Sequence, residues 1–116
     1  MVRKLNLLGI DFEDWYHPEL IRKHQKQKSP EPIIVNGIDK ILDWLRKNDT
    51  YATFFVVGEL LEFKPELLDQ ILEGGHEIAF HTMNHIRLDE PNYKEIFSDD
   101  LKRFSELTNK KSKGFR

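Results

Sequence analysis

The sequence predicts an α/β fold built on a parallel sheet, and three observations carry that prediction. Short runs rich in apolar, β-branched or aromatic residues, at 5–12, 51–57 and 77–80, alternate with segments of helical apolar spacing. Strands that alternate with helices pair in parallel through βαβ units. The residues able to do chemistry cluster where the first and third of these runs end, and parallel sheets carry their sites at the carboxyl ends of the strands.

Each element has a local reason. Residues 5–12 are apolar and finish in acids, as expected of a strand buried on both faces. The basic start Met1-Val2-Arg3-Lys4 looks like the head of a signal peptide. The apolar run after it is short, contains Asn6 and leads directly into acids, so the expectation is a strand in a cytoplasmic chain without a leader. Residues 15–32 form a long connection in which Lys23, Lys26 and Lys28 are expected on a solvated surface. Asn36 can cap a helix in which Ile38, Ile41, Leu42 and Leu45 share one face, and Lys47-Asn48-Asp49 ends it. Residues 51–57 are a second strand, bounded by Asp49 and Gly58. Pro65 suits the first position of another helix, with Leu67, Leu68, Ile71 and Leu72 as its apolar face and Gly74-Gly75 as its stop. Residues 77–80 make a third strand that leads to His81. Asn92 can cap a last helix with Tyr93, Ile96, Phe97, Leu101, Phe104 and Leu107 on one side, and Lys113-Gly114-Phe115-Arg116 opens a fourth strand.

Composition narrows the function. A length of 116 residues suits a single domain spanning 1–116. A formal net charge of -2 gives no general attraction to nucleic acid or anionic membranes, and no apolar run approaches the roughly 20 residues of a membrane span. Cysteine is absent, so any metal must be held by His, Asp or Glu.

Two clusters stand out. Asp11-Phe12-Glu13-Asp14 packs three carboxylates into four residues, which calls for a metal, an arginine or simply water as a counterweight. A solvated strand end explains that cluster about as well. His81-Thr82-Met83-Asn84-His85 places two imidazoles four residues apart, close enough in a turn to share one ion. A bare pair of this kind arises often by chance; its place at a strand end opposite an acidic cluster strengthens it. Two imidazoles and one carboxylate would leave coordination positions open, as a catalytic metal needs. His76 is expected at the other end of the sheet and structural, and His24 on the surface. His17 follows the acidic cluster and can line the rim, with a structural role the commoner outcome. Trp15 and Tyr16 can wall a sugar site, although aromatics there more often pack.

In this order the pieces resemble the polysaccharide deacetylases, the NodB homology domain or family-four carbohydrate esterases. The match runs through Ala52-Thr53-Phe54-Phe55-Val56-Val57-Gly58, then Gly75-His76-Glu77-Ile78-Ala79-Phe80-His81-Thr82-Met83-Asn84-His85, then Gly114-Phe115-Arg116. The resemblance implies the N-terminal half of a distorted (β/α) barrel of parallel strands with covering helices. It implies Asp11 as general base, His81 and His85 as metal ligands, Thr82 as a brace for their loop, and Arg116 as the partner that orients Asp11. The activity implied is removal of N-acetyl groups from an amino sugar or polysaccharide by metal-activated water. Zinc is the default ion, with cobalt, nickel and manganese as alternatives.

The chain departs from the family pattern twice. Its first motif reads Asp11-Phe12-Glu13-Asp14-Trp15 instead of adjacent aspartates followed by Gly, so the metal carboxylate is Asp14 or Glu13. Straight-strand alternation would put Glu13 on the face of Asp11, while a turn after Phe12 would favour Asp14, and Asp14 is the expectation. The family's later motifs, with the histidine expected as general acid, lie beyond Arg116. The expectation is therefore a partial domain that is weak or inactive alone and self-associates through its uncovered surface. Two other readings stay open: a non-catalytic metal- or sugar-binding fragment, and a hydrolase acting on the C–N bond of another substrate.

Overall fold

The structure, a computed structural model, describes residues 6–26 and 30–116. Three parallel strands form one sheet in chain order: β1 (Gly9–Phe12), β2 (Thr53–Val56) and β3 (Glu77–Phe80). The register pairs Asp11 with Phe55 and Phe55 with Ala79. The first strand is shorter than the predicted 5–12. Leu8 still accepts the Thr53 N–H at 2.9 Å, and residue 5 lies outside the described residues. Residues 113–116 lie parallel to β3, with Lys113 N–H on the Ile78 carbonyl at 2.8 Å and Arg116 N–H on that of Phe80 at 3.0 Å, as a fourth strand would begin.

Strand alternation divides the sheet into two unlike faces. Phe12, Phe54, Val56, Ile78 and Phe80 point to one side and are fully buried there. Helices cover that side: α2 (Ile38–Lys47) with Ile38 and Leu45, α3 (Gly58–Phe63) with Leu60 and Leu61, α4 (Glu66–Glu73) with Leu67 and Ile71, and α5 (Tyr93–Leu107) with Phe104. Phe104 and Phe97 of α5 meet the Phe80 ring at centroid separations of 5.1 and 5.4 Å, within the range of favourable aromatic pairs. Asp11, Thr53, Phe55 and Glu77 occupy the other side, which no helix among the described residues covers. Parallel strands in chain order, helices outside and an open inner face are the N-terminal half of a distorted (β/α) barrel.

Four local features differ from the sequence expectation. The 15–32 connection contains a short helix, α1 (Glu19–Arg22), and α3 follows β2 directly. Helices of four and six residues are too short to show a period. Asn36 does not cap α2. It lies within a single 3-10 turn, Ile34–Gly37, and Gly37 precedes the first helical residue. Pro65 precedes α4 by one position, a normal boundary shift. At the stop of α4, Gly75 has φ +82°, and a Cβ there would lie 2.9 Å from the Tyr51 ring, so glycine is required on both counts.

A candidate metal centre at the carboxyl end of the sheet

Three ligand atoms converge above the open face. His81 directly follows β3, and its N–H donates to the Val56 carbonyl at 3.3 Å, which continues the strand pairing to the rim. Glu13 follows β1 by one residue, and alternation keeps it on the face of Asp11. The Nε2 atoms of His81 and His85 lie 3.4 and 2.8 Å from Glu13 Oε2. One atom from each of the three residues falls within 4.8 Å of the others.

The donor set fits a divalent cation. Glu13 Oε2 is buried and has no hydrogen-bond partner, a costly state for a carboxylate oxygen unless something positive meets it. Nδ1 of His81 sits 2.6 Å from the main-chain oxygen of Arg116. An oxygen there can only accept, so Nδ1 carries the proton and Nε2 presents a lone pair toward Glu13. Burial pushes the His85 imidazole below its usual range, with His81 acting in the same direction and Glu13 opposing both. A neutral imidazole is the form that binds a metal.

The loop that carries both histidines is strained and firmly held. Thr82 and His85 have φ +57° and +56°. Left-handed backbone costs a non-glycine residue about 1–2 kcal/mol and persists only where its surroundings impose it. The first residues of α3 impose much of it, since Gly58 N–H donates to the Thr82 carbonyl at 2.9 Å and Glu59 N–H to that of Met83 at 3.0 Å. Thr82 Oγ1 accepts the Ile86 N–H at 3.2 Å, Asp100 of α5 accepts the Met83 N–H at 3.3 Å, and Arg22 of α1 donates to the Asn84 carbonyl at 2.8 Å. Gly58 allows the close approach, because a Cβ there would lie 2.2 Å from Met83 Sδ.

Asp11 and Arg116 flank this centre on the open face. Arg116 Nε lies 3.6 Å from Asp11 Oδ1, and its guanidinium rests over the Phe55 ring at 5.8 Å. The carboxylate of Asp11 is partly exposed and reachable from that face.

Asp14, the expected metal carboxylate, points the other way. No turn follows Phe12, so alternation continues and sends Asp14 to the helix-covered side, where it is buried. Its oxygens accept three backbone N–H groups, from Trp15 at 2.8 Å, Ile33 at 2.6 Å and Ile34 at 2.8 Å. The last two are donors at the start of the 3-10 turn that leads into α2, so Asp14 caps that turn. Glu13, the alternative carboxylate, is the one that meets the imidazoles.

His17 is buried in a structural role. Its Nδ1 accepts the Asp14 N–H at 2.7 Å, so its proton sits on Nε2 and is donated to Glu59. His76 lies at the amino end of the sheet, where Nδ1 accepts the Ala52 N–H at 3.1 Å and burial holds its pKa down. Tyr16 is buried, and desolvation, with Glu59 nearby, raises its pKa. Trp15 stays exposed at the rim, and His24 is on the surface. The sequence reading missed Glu59, Arg22 and Asp100, which hold the histidine loop. Two of the three sit on the short helices that periodicity could not reveal.

Comparison with known proteins bears on the family and the fold. The polysaccharide deacetylase family model matches residues 15–116 and so begins immediately after the acidic cluster. A peptidoglycan-N-acetylglucosamine deacetylase of Bacillus cereus is 39% identical over 69 residues, which is 58% of this chain and 32% of that protein. The solved peptidoglycan deacetylase PdaC of Bacillus subtilis superposes with a TM-score of 0.62 at 26% identity, covering 91% of this chain and 45% of that one. A solved Puue allantoinase gives a TM-score of 0.68 at 16% identity over 94% of this chain and 45% of its own, a likeness of fold alone. The chain thus spans less than half the length of these proteins.

Proposed function

The chain belongs to the polysaccharide deacetylase family, and from that premise we propose that it forms the cation-holding part of an enzyme that removes N-acetyl groups from an amino sugar or glycan. One observation carries the reading: a buried carboxylate oxygen with no hydrogen bond, Glu13 Oε2, faces the Nε2 atoms of His81 and His85. No other pairing among the described residues satisfies that oxygen. The bacterial relative named above acts, by its name, on N-acetylglucosamine in peptidoglycan, and a glycan of N-acetylated amino sugars is the substrate class proposed here.

Glu13, His81 and His85 would hold the ion, with zinc the first choice for two imidazoles and a carboxylate. When bound, such an ion lowers the pKa of water and polarises the amide carbonyl. The chain's own groups do the rest. Asp11 accepts the proton of the attacking water from the open face. Arg116 orients the Asp11 carboxylate through its side chain and fixes the His81 tautomer through its main-chain oxygen. Thr82 braces the loop by accepting the Ile86 N–H. Hydrolysis adds water across the C–N bond and yields acetate and a free amine.

The full-length protein tests this directly. After chelation it should release no acetate from an N-acetylglucosamine oligomer, and zinc should restore release in the wild type but not in His81→Ala. Acetate release undiminished after complete removal of metal would overturn the proposal.

A further inference from the structure

On the reading that Glu13, His81 and His85 hold a cation, we propose that Glu59 is a positioning residue that brings the two ligand-bearing segments together. Glu59 sits near the start of α3, between those segments, and each of its carboxylate oxygens reaches one of them. Oε2 accepts from the Asn84 amide at 2.9 Å, in the orientation that also lets that amide donate to the Met83 carbonyl at 3.2 Å. Asn84 is the neighbour of His85. Oε1 accepts from Nε2 of His17, whose other ring nitrogen takes the Asp14 N–H at 2.7 Å. Asp14 is the neighbour of Glu13. One carboxylate thus ties the strand that delivers Glu13 to the loop that delivers His85.

The chemistry at Glu59 is that of a committed acceptor. Tyr16 adds a third donor, and the contacts with His17, foremost, and with Tyr16 hold its carboxyl below the usual range. Charge-assisted bonds are shorter and stronger than neutral ones, so the tie is stiff. Stiffness matters because Thr82 and His85 occupy left-handed backbone that relaxes when it is not held. A loosened loop would swing the His85 ring away from Glu13, and ligand sets tolerate only small errors in placement.

The test uses the full-length protein with Glu59→Ala, Glu59→Gln, Asn84→Ala and the Glu59→Ala/Asn84→Ala double variant. Zinc affinity is read by competition calorimetry, and amide exchange is followed across residues 82–86 in zinc-free protein. Glu59→Ala should weaken zinc binding about tenfold, the low end for groups that orient a metal ligand, and speed exchange in the loop. Glu59→Gln keeps an acceptor for His17, and its amide N–H can donate to the Asn84 oxygen once that exposed amide turns over, so it should stay within about threefold of wild type. The double variant should be no weaker than the weaker single one, because both act through one contact. Asn84 is exposed, so its variant folds even if Glu59→Ala does not, and it must weaken zinc by itself. Unchanged affinity in both single variants, with only a lower melting temperature, would reduce Glu59 to a structural role and overturn the proposal. Zinc binding that His81→Ala abolishes and Glu59→Ala spares would overturn it while leaving the metal centre intact. Binding that ignores His81→Ala would remove the metal centre, and this proposal with it.

Discussion

Glu13 and Asp14 are adjacent carboxylates with opposite tasks, and alanine at each should separate metal binding from stability. Asp14 accepts three backbone N–H groups, from Trp15, Ile33 and Ile34. A hydrogen bond to a charged acceptor contributes about 1.5–3 kcal/mol. All three bonds are only partly buried, so water can replace part of what these donors lose. Asp14→Ala should therefore cost about 2–4 kcal/mol, a large share of the roughly 5–15 kcal/mol that holds a domain folded. Glu13 accepts no backbone N–H, and in metal-free protein its removal should cost less than about 0.5 kcal/mol or even stabilise, since a buried carboxylate oxygen that meets only the two imidazoles and accepts no hydrogen bond is lost. For zinc the order reverses. About 10–16 kcal/mol shared among roughly four ligands gives about 3 kcal/mol per ligand. Loss of Glu13 should thus weaken binding by a factor on the order of 100, while folded Asp14→Ala protein should bind within a few-fold of wild type. Urea unfolding of chelated full-length protein and zinc calorimetry read the two quantities separately. Zinc binding lost in Asp14→Ala and kept in Glu13→Ala would refute the assignment and return the site to the turned-strand geometry.

Two further outcomes follow from the same contacts. Arg116→Ala should lower kcat about tenfold, a part of the roughly 100- to 10,000-fold that a well-placed general base contributes. It should leave zinc affinity unchanged, because the main-chain oxygen that binds His81 Nδ1 remains, and cost under about 1 kcal/mol of stability, since its pair with Asp11 is exposed. A parallel loss of zinc affinity would show that the side chain acts on the metal centre and not on Asp11. The buried His76 should make metal-free protein acid-sensitive. Its folded pKa is depressed, so as pH falls through about 6.5 the unfolded chain takes up a proton first and stability declines. His85 acts in the same direction. Unfolding free energy should fall between about pH 7.5 and 5.5, and fall less in His76→Gln; equal slopes would show that His76 contributes nothing.

Much of the fold was legible because burial leaves a periodic trace. Ile38 and Leu45, Leu67 and Ile71, and the run from Glu77 to Phe80 each repeat at the spacing of the element they form, and the third strand has the predicted bounds. The site was legible only in part. His81 and His85 announce themselves by type and spacing, and the end of β3 places them. The carboxylate does not announce itself. Glu13 and Asp14 differ by one position, and which of them faces the imidazoles depends on whether the chain turns after Phe12. The donors at Ile33 and Ile34 hold Asp14 on the covered side, and they come from a segment about twenty residues on that has no pattern of its own.

The same limit hides the groups that hold the histidine loop. Thr82 is in left-handed backbone that a β-branched residue rarely adopts, and His85 is in one that histidine visits only as a minority state, so their identities do not predict the conformation that brings their side chains into place. The conformation is imposed from outside, by α3 through Gly58 and Glu59, by α5 through Asp100 and by α1 through Arg22. A candidate ligand pair written locally in the sequence is therefore set non-locally, by residues whose own spacing carries no signal. It follows that substitutions on α3 and α1, some distance along the chain from both histidines, should perturb metal binding more than exposed positions of α5 on the same rim. That ordering is a property of the loop's supports and not of its ligands.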